Sequence, residues 1–250
     1  MTVSNASTIT IGRRQTITFS LIEALEQVIG FAFGVDEHAT PYGVDNPYLY
    51  GYRTWDCALR DYAPGLSEAD VLASTGMNSG VDVTVMLRIL AVIDNDATLP
   101  DLGRNPDFWT LSPASLDRDP GAGHPEHELW EVWRRLVRLD GVAGAVCSKV
   151  VAHRWPTKFP LYDSKIALVY HADSTWMEIC EDLQQDAEWW AELERRFDCY
   201  RANYQFGRGV PLHRVRMLDI MAWGHAVGFR RHLVGLGKPL LVGATDPDIW

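Results

Sequence analysis

Residues 139–163, LDGVAGAVCSKVVAHRWPTKFPLYD, constrain the fold more than any other part of the chain. Upstream, Leu129, Val132, Trp133, Leu136 and Leu139 recur at helical spacing, which predicts a helix over 126–139. Leu139, Asp140, Gly141, Val142, Ala143 and Gly144 then give a turn signal. A helix-prone run over 145–153 follows, and Asp163 stands just before another apolar run, from Ile166 to Tyr170. The order is helix, tight turn, helix, then an aspartate at the start of a further helix.

Such a turn exposes backbone N–H groups, and the second helix directs its positive end the same way, so the corner suits a phosphate oxygen. Gly141 and Gly144 carry no Cβ to hold a ligand away from the backbone. Lys149, Arg154 and Lys158 add positive charge in the same stretch. The competing reading is a tight helical hairpin that serves packing alone. Asp163, followed by Ser-Lys-Ile, also reads as an ordinary helix cap.

The arrangement resembles the helix-hairpin-helix DNA glycosylase superfamily, the group that includes endonuclease III and its relatives. In that family the hairpin reads roughly Leu-Pro-Gly-Val-Gly, and Val-Asp-(Thr/Ser/Gly) follows the second helix. The matching residues here are Leu139, Gly141 and Val142, then Tyr162, Asp163 and Ser164, with 24 positions from Leu139 to Asp163. Asp140 and Ala143 replace the family's proline and second hairpin glycine, and Ala145 stands where bifunctional members carry a lysine nucleophile. The resemblance is sharp over about a tenth of the chain. It extends weakly to residues 52–93 and 211–223, which are similar to an uncharacterised bacterial domain family with the same hairpin.

The resemblance implies a mainly α fold: a helix-hairpin-helix, glycosylase-like helical globule. It implies a monofunctional DNA N-glycosylase that hydrolyses the bond between a damaged or modified base and deoxyribose. Asp163 would be the catalytic residue, its carboxylate stabilising the cationic sugar or orienting water. Gly141, Val142, Gly144, Lys149, Arg154 and Lys158 would contact DNA. The partner would be double-stranded DNA with a flipped base, held between flat side chains. Trp155 and Tyr162 lie close to Asp163 in sequence, and Trp55 and Trp223 fall in the weaker matching segments, which makes these four the candidate base pocket. For each tryptophan the competing role is core packing. Lys149, one helical turn beyond Ala145, is the remaining candidate for a substitute nucleophile. No cofactor is expected. Cys57, Cys147, Cys180 and Cys199 lack the spacing of the iron–sulfur cluster that some members carry, so no cluster is expected.

The net charge of −10 opposes nucleic-acid binding when averaged over the chain, but it is unevenly spread. Residues 133–170 hold seven basic and two acidic side chains, a local charge of +5 that leaves −15 elsewhere. A basic island on an acidic body suits local phosphate contact, because salt confines charge effects to about 10 Å. The same acidic surface suits a basic protein partner. Three readings stay open: the glycosylase, a non-catalytic helix-hairpin-helix DNA-binding module, and an acidic protein-interaction domain.

The 250 residues suit a single helical globule. Within it, residues 1–19 form an N-terminal β-hairpin or extended arm, 20–110 a helical half, 126–171 the hairpin and aspartate, and 172–250 the C-terminal helices. Residues 8–19 alternate threonine and apolar side chains around Gly12 and Arg13, like two short strands. Ser20 and Glu23 read as a capping box for a helix over 21–31. Further helices are predicted behind Ser67, over 81–93, over 164–171, over 175–204 with a break near Gln185, and from Pro211 to about His225. Residues 55–59 suit a short helix, 42–51 a loop, and 94–126 a long loop or a boundary. His124 and His127 lack a third metal ligand, so no metal is expected. No apolar run is long enough for a membrane span, and the N-terminus lacks the pattern of a secretory signal. The expected location is cytoplasmic, with no membrane partner.

Overall fold

The computed structural model describes residues 4–5, 7–34, 65–75, 82–95, 99–203 and 211–244. Among these the chain is mainly helical, with a small antiparallel pair of strands at its start. Strand β1 (Thr8–Ile11) pairs with β2 (Ile17–Ser20), Ile9 opposite Phe19 and Ile11 opposite Ile17. These four side chains are buried, while Thr10 and Thr18 meet through their hydroxyls at 3.1 Å on the other face. Two short strands cannot hold themselves together in water. This pair is clasped at its tip, where the amides of Arg13 and Arg14 donate to Val169 O and Gly12 N donates to Asp182 Oδ2 at 2.7 Å.

Helix α1 (Leu21–Phe33) starts where the sequence places it, the Ser20 hydroxyl accepting from Glu23 N at 3.3 Å. The Glu23 carboxylate pairs with Arg230, so it is committed to another helix. Leu21, Ala24, Leu25, Val28 and Ile29 form its buried stripe. Helix α2 (Glu68–Thr75) and α3 (Val83–Asn95) follow. The predicted loop over 94–126 contains two single 3-10 turns and a short helix, α4 (Pro113–Asp117). Then come α5 (Pro125–Val137), α6 (Gly144–Arg154) and the one-turn α7 (Ile166–Val169).

The predicted break near Gln185 is real: α8 (Thr175–Gln185) and α9 (Ala187–Asn203) are separated by Asp186, whose carboxylate caps α9 by accepting from Trp189 N. Trp189 and Trp190 are fully buried, edge to face at 5.1 Å, and donate to Ser7 O and Asp182 O. Their role is packing. Helix α10 (Arg214–Ala226) is the central element, with every residue from Arg214 to Gly224 buried. It begins three residues after Pro211, the expected first helical position. Glu194 on α9 sets the start by accepting from Arg214 N at 2.6 Å. The last helix, α11 (Arg230–Val242), crosses α1 backbone to backbone. A Cβ on Gly30 would stand 1.9 Å from Leu233 O, and one on Gly237 1.8 Å from Glu26 O, so only glycine fits at this crossing.

The segments expected to be a loop at 42–51 and a helix at 55–59 lie outside the described residues, as does Trp55. Among the described residues no helix is long and apolar enough to cross a membrane.

Candidate functional site

Helix α5 is capped at Arg138, and the chain reverses over the next five residues before α6. Val142 N donates to Leu139 O at 3.0 Å, closing the turn. Gly141 sits at φ +81°, a conformation that an L side chain rarely adopts. Val142 turns inward and is 6% exposed, anchoring the loop in the core. Ala143 stands at the cap position of α6, and its carbonyl accepts from Val146 N and Cys147 N. The first amides of α6 precede any possible partner within the helix, and they begin at Gly144.

Gly144 also fixes what lies beside the turn. A Cβ there would meet the Trp133 ring at 3.3 Å and the Tyr162 ring at 3.6 Å, so the helix start rests on two aromatic side chains. Both rings line a cavity of about 260 Å³ together with Trp130 and Trp176, and Asp173, Ser174 and Thr175 stand on its polar side. The indoles brace one another: Trp176 lies 4.7 Å from Trp130 and 5.1 Å from Trp133, centroid to centroid. Phe159 backs Trp176 edge-on at 5.1 Å. Trp130 Nε1 donates to Ser115 O, which holds that ring by its polar edge.

The segment that carries Asp163 is tied to α6 by Ser148. Its hydroxyl donates to Tyr162 O at 2.8 Å and accepts from Tyr162 N at 3.0 Å. Asp163 follows directly and is half-buried. Its Oδ1 accepts from Lys165 N at 2.8 Å and Ile166 N at 3.0 Å, so one oxygen caps the turn that leads into α7. Asp163 lines neither of the two cavities described here.

Behind Asp163 lies a buried charge cluster. Lys149 is 6% exposed. Burial pushes its ammonium pKa down, against the opposing pull of Asp163 and Asp219, while Arg216 adds to the depression. Arg216 and Asp219 on α10 form an ion pair with both side chains buried. Together with His213, it lines a second cavity only about the size of one water, near Ala152 and Phe159.

The expected DNA contacts divide sharply. Gly141 and Ala143 are exposed at the turn, with Gly144 half-buried behind them. Lys149 is inside, so it is not placed to touch a phosphate on the surface. Lys158 is committed to Asp107 at 2.7 Å. Arg154 is half-buried and engaged with a neighbour. Elsewhere in the basic stretch, Arg134 pairs with Asp119 and Arg135 with Glu131. Arg138 and Lys165 are exposed.

The expected base pocket divides as well. Tyr162 lines the aromatic cavity. Trp155 is 5% exposed and donates from Nε1 to Asp101, a core position. Trp223 packs edge-on against Phe31 and Phe229 in the core beside α1. The rings missed in sequence are Trp130, Trp133 and Trp176. Trp130 and Trp133 stand three residues apart on α5, a spacing that places two indoles on one helix face and was a readable signal. Trp176 comes from α8, and nothing local announces it.

Of the other candidates, His127 Nδ1 pairs with Asp119 at 2.8 Å. Among the described residues no group of three or more histidine, cysteine, aspartate or glutamate side chains is arranged to hold a metal. Cys147 and Cys180 are buried free thiols, and burial drives both thiol pKa values up, that of Cys180 to about 12.

Compared with known protein families, residues 37–226 match a family of unknown function, DUF6308. The match covers well over half of the sequence. The chain belongs to DUF6308. No curated protein and no solved structure matches it. For this DUF6308 member, any functional reading therefore rests on the geometry of its own side chains.

Proposed function

We propose that this protein is a monofunctional DNA N-glycosylase of helix-hairpin-helix type, acting on a base withdrawn from the duplex. One observation carries the reading. The turn at 139–144, the aromatic cavity and the segment ending in Asp163 meet at a single corner, with Gly144 resting against Trp133 and Tyr162. These are the parts that base excision needs side by side: a phosphate anchor, a slot for a flat ring and a carboxylate. At about 260 Å³ the cavity falls just below the ~300 Å³ at which sites for drug-sized ligands begin, which suits one small planar group.

In this reading the exposed backbone of Gly141 and Ala143 and the start of α6 hold a phosphate, and Arg138 adds charge. The base enters between Trp130, Trp133, Trp176 and Tyr162. Cleavage breaks the bond between C1′ and the base nitrogen, and water supplies hydroxide to C1′. The Asp163 oxygen not used in capping stabilises the cationic sugar or orients that water. Ala145 offers no amine for a Schiff base, and Lys149 is withdrawn into the interior. The free base and an intact abasic strand are the expected products.

The test is a panel of modified-base duplexes incubated with protein and then treated with alkali. Strand breaks with the wild type that fall at least a hundredfold with Asp163→Asn support the reading. Turnover unchanged in that variant removes Asp163 from the chemistry.

A second reading has its own observation. The capping role of Asp163 fits a binding module that holds DNA through the exposed turn without cutting it. Salt-sensitive binding that survives Asp163→Asn, with no base released from any duplex, favours that alternative.

A further inference from the structure

The lining of the aromatic cavity carries one formal charge, the carboxylate of Asp173. No lysine, arginine or histidine is among its lining residues. Asp173 is exposed at the mouth, with no hydrogen bond or ion pair to any described residue. The walls are three indoles and a phenol, each with a negative ring face. A sphere of the cavity's volume is roughly 4 Å in radius, so an occupant lies close to every lining ring, inside the ~6 Å range of cation–ring attraction. The basic side chains nearest in sequence to the α5 rings are already neutralised: Arg134 by Asp119 and Arg135 by Glu131. His171, beside the mouth, is matched by Glu178, whose carboxylate accepts from His171 Nδ1 at 2.6 Å and from Ser174 Oγ at 2.9 Å.

A neutral ring would gain stacking from these walls but no charge attraction from Asp173. A positively charged ring gains from both. We infer that the cavity selects a flat heteroaromatic ring carrying a delocalised positive charge. This deepens the proposed function by naming the class of base removed, and it rests on that reading only for the base being part of DNA. The selectivity belongs to the cavity itself and holds for a free ligand.

The probes are 1-methylnicotinamide, a flat cation, and nicotinamide, its neutral counterpart of nearly the same shape. Binding to the whole chain is followed by calorimetry without DNA. The cation is expected to bind about tenfold tighter. Asp173→Asn, at an exposed position that leaves the fold intact, is expected to reduce that preference severalfold. Trp133→Leu is expected to abolish binding of both probes, with circular dichroism confirming that the helices persist. Equal affinity for the two probes overturns the inference, as does absence of binding at millimolar concentration. A preference untouched by both substitutions also overturns it, because the cation then binds elsewhere. Asp163→Asn separates the two proposals: it leaves probe binding unchanged while removing base release. Lost selectivity with base release intact sinks only this inference, and the reverse sinks only the glycosylase.

Discussion

Two aspartates, nineteen positions apart, are used in opposite ways. Asp182, on α8, is sealed at 0% exposure. Its oxygens accept from Gly12 N at 2.7 Å, from the Tyr170 hydroxyl at 2.9 Å and from Arg13 at 2.5 Å. Burial raises its pKa, and those hydrogen bonds pull the other way. Every part of that carboxylate is consumed in clasping the strand pair to α8. Asp163 is half-buried and uses one oxygen, on the two amides of the turn into α7. The clasp holds the molecule together, whereas the corner keeps carboxylate capacity in reserve. Of these two carboxylates, Asp163 alone is both held by backbone amides and partly exposed, as the proposed chemistry requires.

The contrast gives a direct stability test. Asp182→Ala strips acceptors from the buried Tyr170 hydroxyl and from Gly12 N and frees Arg13, a loss of about 3 kcal/mol or more. Asp163→Ala removes the cap of the turn that leads into α7, worth about 1 kcal/mol. Urea unfolding of the two variants at neutral pH measures both. Equal losses would erase the distinction between clasp and reserve.

Acid sharpens the same comparison. Glu192 on α9 holds Arg195 and the buried Arg196, and the hydrogen bond from Arg195, followed by that from Arg196, outweighs burial and lowers its pKa to about 2. A carboxylate with a depressed folded pKa contributes stability that is fully present above its unfolded value of 4.5 and is lost as pH falls toward 2. After allowance for solvent screening the contribution is about 1 kcal/mol. Glu192→Gln is expected to remove about that much stability at neutral pH and to flatten the decline between pH 4.5 and 2. An unchanged acid limb in thermal melts would show that Glu192 does not brace the clasp side.

Sequence pattern carried the elements further than it carried the site. The strand pair, the Ser20 cap, the break near Gln185 and the turn at 139–144 are local events, each signalled by residues within a few positions. The helix at Arg230–Val242 had no comparable signal, because Gly235, Gly237 and Pro239 interrupt its pattern. Its glycines are explained only by the backbone of α1 lying against them. The cavity was illegible for a related reason. Trp133 fitted the apolar stripe of α5 alongside Leu129, Val132 and Leu136, yet those three are fully buried and Trp133 is only half so. Trp155 and Trp223 stood in the matching segments but fill the core. Nearness in sequence to Asp163 located Tyr162, while Trp176 required the folded chain. Charge was similarly deceptive: the basic island exists in sequence, but Lys158, Arg134 and Arg135 are spent on acids from other segments or their own helix turn.

In the proposed function the turn at 139–144 and the aromatic cavity act together on a base drawn out of DNA. Photocrosslinking addresses it most directly. A duplex carrying 5-iododeoxyuridine in a mismatch is bound at low salt, irradiated, digested and mapped by mass spectrometry. The expected adducts lie on Trp130, Trp133, Tyr162 or Trp176, and are lost when Gly141→Ala disturbs the turn. Adducts confined to other surfaces, with the duplex fully bound, would exclude the cavity as the site that receives the base.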